Sequence, residues 1–162
     1  MNSTRLLRVS LAAQQLEVLE QEQLVACYAV STARNGPGEL RGSECTPRGS
    51  HRIRLKIGAG LPPDTVFVRR RPTGELYSAE LAVRYPRRDW ILTRILWLTG
   101  LESGFNRGGA CDTLRRYIYI HGCPPDAPMG VPLSHGCIRM RNADLLVLFE
   151  RVAVGDRVWI VE

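Results

Sequence analysis

The sequence has no apolar run long enough to cross a membrane. No segment of its 162 residues approaches the roughly 18 consecutive apolar residues of a transmembrane helix. Hydrophobic residues make up 44% and charged residues 23% of the chain, which is ordinary for a globular protein. The length predicts one domain over residues 1–162, with a buried core and no membrane span.

The N-terminus lacks the apolar centre of a secretory leader. Residues 1–5 are followed by Leu6-Leu7-Arg8-Val9, where Arg8 interrupts the apolar stretch at once. A leader needs a longer apolar segment, and a lipoprotein signal ends in a cysteine that this segment does not contain. The sequence therefore predicts a cytoplasmic protein, or a periplasmic one if the true start lies elsewhere.

Cysteines are too few and too irregular to form a disulfide framework. The chain has five of them, and an odd number cannot be fully paired within one chain. This composition fits a reducing compartment. The five are Cys27, Cys45, Cys111, Cys123 and Cys137.

Lysine is nearly absent, so positive charge comes from arginine. Of 22 basic residues only Lys56 is a lysine, and the net charge is +6. Arginines cluster at 69–71 and at Arg84, Arg87 and Arg88. A nucleic-acid surface is one interpretation. No binding fold or interleaved aromatic residue accompanies the clusters, so solvated loop charge is favoured and no nucleic-acid partner is expected.

Two stretches carry the residues of a reactive site. The first is Ser134–Met140, with sequence SHGCIRM, and the second is 117–122, with sequence YIYIHG. Alternate residues of a strand share a face. One face then holds His135, Cys137 and Arg139 in the first stretch, and Tyr117, Tyr119 and His121 in the second. Ile118, Ile120, Ile138 and Met140 face a core.

If the two strands are neighbours, a thiol, two imidazoles and a guanidinium converge on one wet face. A cysteine acyl-transfer enzyme needs this set, because the thiolate attacks, an imidazole takes its proton and positive charge favours the anion. Gly136 precedes the thiol and would let backbone N–H groups approach a reacting carbonyl. An inert buried Cys137 is the plainer alternative, but its shared face with His135 and Arg139 argues against it.

Zinc binding is the other alternative. His121-Gly122-Cys123 and His135-Gly136-Cys137 offer two thiols and two imidazoles. Ligands one residue apart on one strand face make an awkward chelate, and neither pair has a Cys-x-x-Cys partner. We therefore expect no metal and no cofactor.

The combination of Ile120-His121-Gly122 with Ser134–Met140 closely resembles the signature of the L,D-transpeptidase catalytic domain (YkuD type). Residues 30–32 (VST) and 46–49 (TPRG) look like two further segments of that family. The resemblance implies a mainly β, single-domain YkuD-like sandwich or meander with one or two short helices.

The resemblance also implies a role for each site residue. Cys137 would be the nucleophile and His121 the general base, with the Gly122 carbonyl orienting the imidazole. His135 would lie near the substrate, and backbone N–H groups of Gly136 and Cys137 would form an oxyanion hole. Substrate binding would fall to Arg139, Tyr119 and Ser134. The sequence itself has no Asp or Glu beside His121, so an acidic third member would have to come from elsewhere, with Asp112 and Asp126 as candidates. Cys123 lies two residues past His121 and could form an oxidative disulfide with Cys137.

The implied reaction is attack on the carbonyl between the third residue of a peptidoglycan stem tetrapeptide, usually diaminopimelate, and the terminal D-alanine. Water would then give an L,D-carboxypeptidase, whereas a second stem peptide would give a 3→3 cross-link. The expected cytoplasmic location favours hydrolysis of soluble muropeptides, and an anionic substrate suits a basic surface. Carbapenem acylation of Cys137 is a further implication.

Periodicity and turn residues predict the elements along the chain. The predicted strands cover 5–11, 15–20, 24–32, 50–57, 66–68, 90–98, a segment ending at His121, and 157–161. A helix is predicted over 143–152 with Asn142 as its N-cap. Residues 12–24 also fit a helix, 35–49 and 123–132 are predicted loops, and 62–64 and 71–74 predicted turns. His51 lies on an apolar register and is expected to be a hydrogen-bonded core or edge histidine.

Overall fold

The computed structural model describes residues 4–162. The expectation about a secretory leader rests partly on residues 1–3, which lie outside the described residues. Within the described part of the chain, no helix combines the length and the apolar character needed to span a bilayer.

Residues 4–162 form ten strands, two α-helices and a short 3₁₀-helix at Gly109–Cys111. The strands are β1 (Arg5–Ser10), β2 (Gln15–Glu20), β3 (Gln23–Ser31), β4 (Gly49–Ile57), β5 (Thr65–Val68), β6 (Arg71–Leu76), β7 (Ile91–Gly100), β8 (Tyr119–Gly122), β9 (Ile138–Met140) and β10 (Arg157–Val161). The helices are α1 (Ala79–Arg84) and α2 (Asn142–Arg151). The predicted mainly β fold with one or two short helices is confirmed.

All ten strands belong to one sheet, in the order β4-β10-β1-β2-β3-β9-β8-β7-β5-β6. Because β4 also pairs with β7, the eight strands from β4 round to β7 form a closed circuit of pairings. Closure leaves few unpaired strand edges. The β5–β6 hairpin extends the sheet beyond β7, which separates it from the strand pair β8–β9 that carries the reactive stretches.

The principal core contains the apolar residues that strand alternation placed inside. Ile118, Ile120, Ile138 and Met140 are all at most 3% exposed. They pack with residues of β1 and β2 and with the buried side of α2. Burying side chains of this size stabilises the fold by about 1.5–3 kcal/mol each. The predicted inward faces of both reactive stretches are therefore confirmed.

The start of α2 differs from the prediction. Arg141 is the N-cap, and Asn142 is the first helical residue rather than the cap. The Asn142 side chain is held by tertiary contacts instead: its Oδ1 accepts from Thr93 Oγ1 at 2.8 Å, and its Nδ2 donates to the Cys123 carbonyl at 3.0 Å. These bonds tie the helix start to β7 and to the end of β8.

Residues 71–74 were predicted to form a turn, and this prediction is wrong. They open β6, and the turn lies one step earlier, at Arg69 and Arg70. Pro72 is compatible with this strand because β6 lies at the edge of the sheet. The helix considered for residues 12–24 is also absent: β2 occupies the middle of this segment, between turns with positive φ at Gln14 and Gln21, and β3 begins at its end.

His51 is a satisfied core histidine, as predicted. Its side chain is 0% exposed. Nδ1 donates to the Gly49 carbonyl at 3.0 Å, and Nε2 lies 3.0 Å from the Thr113 hydroxyl, which donates to it in the neutral tautomer. Burial lowers the pKa of His51 to about 4.

Buried His51 makes stability depend on pH. The unfolded chain binds its proton below about pH 6.5, whereas the folded protein resists it down to about pH 4. The free energy of unfolding should therefore fall as pH falls through that window, by up to about 3 kcal/mol, and lose this dependence above it. The free energy of unfolding of His51→Gln can be measured by urea unfolding at several pH values between about pH 7 and pH 4. Its slope against pH should correspond to about one bound proton fewer than in the wild type. The exposed His135→Gln is the matched control. Equal slopes in wild type and His51→Gln would contradict the assignment.

Candidate active site

Parallel pairing of β8 with β9 brings the two reactive stretches together. Ile120 is paired with Ile138, and His121 with Arg139. The expectation that these strands are neighbours is confirmed. The connecting residues 123–137 run through a loop with four prolines before they return.

The segment before β9 is a bend rather than a continuous strand. β9 starts only at Ile138, and Gly136 has φ +132°, a conformation that side chains rarely adopt. Ser134 closes the bend: its hydroxyl donates to the Cys137 carbonyl at 2.6 Å and accepts from the Gly136 N–H at 3.2 Å. A Cβ at Gly136 would lie 3.2 Å from the Cys45 carbonyl oxygen.

The two upstream segments with family-like sequences hold this bend. The Thr46 hydroxyl donates to the Gly136 carbonyl at 2.9 Å and accepts from the Ala33 N–H at 3.0 Å. The Ser134 N–H donates to the Thr32 carbonyl at 2.8 Å. These segments are therefore structural supports for the thiol-bearing loop.

Cys137 is half-buried in this loop. Its thiol donates to the Tyr117 carbonyl at 3.3 Å, and its sulfur accepts from the Tyr119 N–H at 3.3 Å. Burial raises the pKa of the Cys137 thiol to about 12. The thiol is therefore protonated in the resting protein at neutral pH.

His121 is buried, with 1% of its surface exposed. Its Nδ1 donates to the Gly122 carbonyl at 2.6 Å, so a neutral imidazole carries its lone pair on Nε2. Burial lowers the pKa of His121, and the charge of Arg139 lowers it further. A Cβ at Gly122 would collide with the Asn142 amide oxygen and lie 2.6 Å from the Leu92 carbonyl oxygen, which explains glycine there.

Cys137 and His121 line one cavity of about 410 Å³. Its walls are Arg69, Arg70, Asp89, Ile91, Arg116, Tyr117, Ile118, Tyr119, His121, Ser134, His135, Cys137 and Arg139. The sequence-predicted residues His135, Arg139, Tyr119 and Ser134 are therefore brought together with the thiol. A volume of this size suits a small-molecule or peptide ligand.

The face predicted to carry the reactive side chains is less exposed to solvent than expected. Tyr119 is 3% exposed and packs with Phe67 and Ile95, with Cys137 against the edge of that cluster. Strand alternation gave the correct face, but the β5–β6 hairpin covers part of it. Only Tyr117, at 52% exposed, and His135 remain open on this side.

The wall of the cavity is strongly basic. It contains four arginines and one carboxylate, Asp89, which lies 3.4 Å from the Arg139 guanidinium. Of these, Arg69, Arg70, Arg116 and Asp89 were not among the predicted site residues. Asp112 instead accepts backbone N–H bonds from Gly108 and Arg115. The Gly122 carbonyl, and not a carboxylate, accepts the hydrogen bond from Nδ1 of His121.

The expected oxyanion-hole donors are not equivalent. The Gly136 N–H is already bonded to the Ser134 hydroxyl. The Cys137 N–H has no protein acceptor among residues 4–162 and is the donor that remains for a ligand.

The remaining sequence alternatives also have a place in the structure. In the described part of the chain, no three His, Cys, Asp or Glu side chains are grouped as a metal site would require. Cys123 is buried, and its thiol donates to the Met140 carbonyl at 3.3 Å. All five cysteines are free thiols. Arg88 stacks over the Trp90 ring at 4.9 Å and pairs with Glu75 at 2.7 Å.

The fold and the thiol–imidazole cavity define a class of protein, and the comparisons identify it. The family model of the L,D-transpeptidase catalytic domain (YkuD) matches residues 4–160. The chain therefore belongs to the L,D-transpeptidase catalytic domain family.

Individual relatives show the same relationship over shorter or more distant matches. The chain is 45% identical over 47 residues to the probable L,D-transpeptidase YbiS of Escherichia coli K12, which is 29% of this chain and 15% of that protein. A probable L,D-transpeptidase ErfK/SrfK of Salmonella typhimurium matches to the same extent. The chain thus spans a small part of these curated relatives.

Solved structures share the fold across nearly the whole chain. L,D-transpeptidase 3 from Mycobacterium tuberculosis with a faropenem-derived adduct has a TM-score of 0.60 at 17% identity, covering 99% of this chain and 61% of that one. The LD transpeptidase LdtMt1 in complex with imipenem has a TM-score of 0.57 at 17% identity, covering 99% and 60%. At this identity the likeness shows the fold.

The resting protonation state of Cys137 can be measured by alkylation. Because burial holds the pKa of this thiol near 12, its iodoacetamide reactivity should keep rising through about pH 9–10, roughly tenfold per pH unit. Peptide mapping by mass spectrometry gives the rate at each cysteine, with exposed Cys27 as the internal reference. A plateau for Cys137 from about pH 6–7 upward would instead indicate a preformed thiolate–imidazolium pair.

Proposed function

We propose that this protein cleaves the L,D peptide bond of peptidoglycan stem tetrapeptides through a thioester on Cys137. The observation that carries the proposal is the pairing of a cavity-lining thiol with an imidazole whose Nδ1 is fixed by the Gly122 carbonyl at 2.6 Å. This bond leaves the basic Nε2 of His121 to accept a proton. Family membership and the basic cavity support peptidoglycan as the substrate.

The first half of the reaction forms the thioester. As Cys137 Sγ attacks the carbonyl that precedes D-alanine, its proton passes to His121 Nε2. The oxyanion is stabilised by the N–H of Cys137, the amide without a protein partner among the described residues. The protonated imidazole then donates that proton to the departing nitrogen, and D-alanine leaves.

The second half resolves the thioester. Water, deprotonated by His121, attacks the acyl carbon and releases a free tripeptide and the thiol. An amine from a second stem peptide would give a cross-link through the same residues. We propose hydrolysis as the main outcome. The cavity volume of about 410 Å³, at the low end for ligand sites, supports occupancy by one stem peptide. The expected cytoplasmic location and soluble muropeptide substrate stay predictions.

β-Lactam acylation of the same thiol is part of the proposal. Similar solved structures include an imipenem complex and a faropenem-derived adduct. Cys137 in this chain lines an accessible cavity, and a carbapenem carbonyl presents the same electrophile as the stem peptide.

Site substitutions should stop turnover of a soluble disaccharide-tetrapeptide. Cys137→Ala should release no D-alanine above background, and His121→Gln should lose about 10²–10⁴ in kcat because the proton acceptor is removed. Cys27→Ala, which changes an exposed thiol on β3, should keep the wild-type rate. Mass spectrometry of the product measures each rate. Turnover by Cys137→Ala at the wild-type rate would overturn the mechanism.

The same assay with an excess of acceptor amine separates the two outcomes. Loss of one alanine without a cross-linked product is the expected result and identifies a hydrolase. Dimers, or D-amino-acid exchange that outruns hydrolysis, would identify a transpeptidase. The partition is measured as the ratio of the two products at increasing amine concentration.

A further inference from the structure

The β5–β6 hairpin places two arginines in an uncommon backbone conformation beside the reactive thiol. Val68 pairs with Arg71, so the loop between the strands contains only Arg69 and Arg70. Their φ angles are +51° and +65°. Two-residue hairpin loops with both φ positive strongly favour Asn and Gly, because other side chains are strained there. The β2–β3 loop has the same geometry at Gln21 and Glu22, so the backbone alone does not distinguish the two arginines. What distinguishes Arg69 and Arg70 is that both line the cavity of the reactive thiol.

The surroundings of Arg70 fix its guanidinium at the cavity wall. Its Cζ lies 4.5 Å from the centre of the Tyr117 ring and 5.0 Å from that of the Trp97 ring. Its Nη1 donates to the Tyr119 hydroxyl at 3.0 Å. Ring contacts of this kind hold a guanidinium while leaving most of its in-plane donors available. Arg70 is thus pre-organised for a ligand.

The other three cavity arginines are less suited to hold an anion. The guanidinium of Arg116 donates its hydrogen bonds within the protein, to the Cys45 carbonyl at 2.7 Å and the Gly38 carbonyl at 3.3 Å among others. Arg139 shares the carboxylate of Asp89. Arg69 is exposed at the tip of the hairpin. Among residues 4–162, no carboxylate lies within ion-pair distance of Arg70.

We propose that Arg70 is the carboxylate-binding residue of this cavity and sets the requirement for a free carboxylate on the substrate. The inference rests on the proposed function and deepens it, because it adds Arg70 to the substrate-binding residues expected from the sequence, Arg139, Tyr119 and Ser134. A planar guanidinium with free in-plane donors binds a carboxylate through two parallel hydrogen bonds. The two residues joined by the scissile bond of the stem tetrapeptide offer two such groups: the terminal carboxylate of D-alanine and the second carboxylate of diaminopimelate.

Substrate amides test this requirement and distinguish the two carboxylates. The wild-type enzyme is assayed with the tetrapeptide acid, with the terminal D-alaninamide, and with the tetrapeptide amidated on the diaminopimelate side chain. The amide of the carboxylate that Arg70 binds should lower kcat/KM by about 10- to 100-fold, as expected for a charge-assisted hydrogen-bonded pair. If wild type hydrolyses the acid and both amides equally well, the proposal is overturned without any variant.

Substitution of Arg70 should abolish this discrimination. Arg70→Gln should lower kcat/KM for the acid by about the same 10- to 100-fold factor, mainly through KM, and leave the sensitive amide almost unaffected. Arg70→Lys keeps the charge without the planar fork and should fall between the two. Arg71→Gln is the matched control, since this exposed neighbour on β6 loses the same charge outside the cavity wall. An unchanged acid-to-amide ratio in Arg70→Gln would contradict the inference.

Binding to the Cys137→Ala protein separates failure of the inference from failure of the proposed function. Calorimetric titration of Cys137→Ala with the tetrapeptide acid should show binding. In the double variant Cys137→Ala/Arg70→Gln the affinity should be lower by about the same 10- to 100-fold factor. Absence of any binding, together with absence of turnover by wild type, would reject the tetrapeptide as substrate and the inference with it. Binding and turnover that do not depend on Arg70 would reject the inference alone.

Discussion

The parallel pairing of β8 with β9 is the constraint on which the site depends. It places His121 beside Arg139 and brings the loop that carries Cys137 next to Tyr119, at the start of β8. The pairing lasts only three residue pairs, so it needs support from both ends. Asn142 secures the end of β8, and Thr46 secures the bend at Gly136. Residues far apart in sequence thereby fix the thiol and the imidazole in one cavity.

Burial favours the neutral forms of the thiol and the imidazole in this cavity. The same desolvation that raises the pKa of Cys137 lowers that of His121. A neutral thiol and a neutral imidazole cost little to bury, whereas a resting thiolate would be expensive. Proton transfer is then coupled to attack on the substrate. The arginines of the cavity wall, two of which lie on the β5–β6 hairpin, carry positive charge that favours an anionic substrate.

Sequence reasoning predicted what local periodicity determines. Strand alternation gave the core side of Ile118 and Ile138 and the opposite side of Cys137, because the two-residue period is a property of the backbone. It missed Arg70, which reaches the cavity because β5 pairs with β7, and Asp89, which lies just before β7. The cluster at 69–71 was visible, but its charge alone resembled a solvated loop. Asparagine is a common N-cap residue, so the sequence suggested that Asn142 caps α2. Its actual role, to bond Thr93 and the Cys123 carbonyl, depends on tertiary contacts that the sequence does not reveal.

Trapping the acyl-enzyme tests the central claim most directly. Wild-type protein would be mixed with the stem tetrapeptide, quenched in acid during turnover, digested and mapped by mass spectrometry. We expect a tripeptidyl group on the peptide that contains Cys137, joined by a bond that hydroxylamine cleaves, as a thioester requires. Turnover with Cys137 unmodified at every time point, or with the acyl group on another cysteine, would contradict the claim.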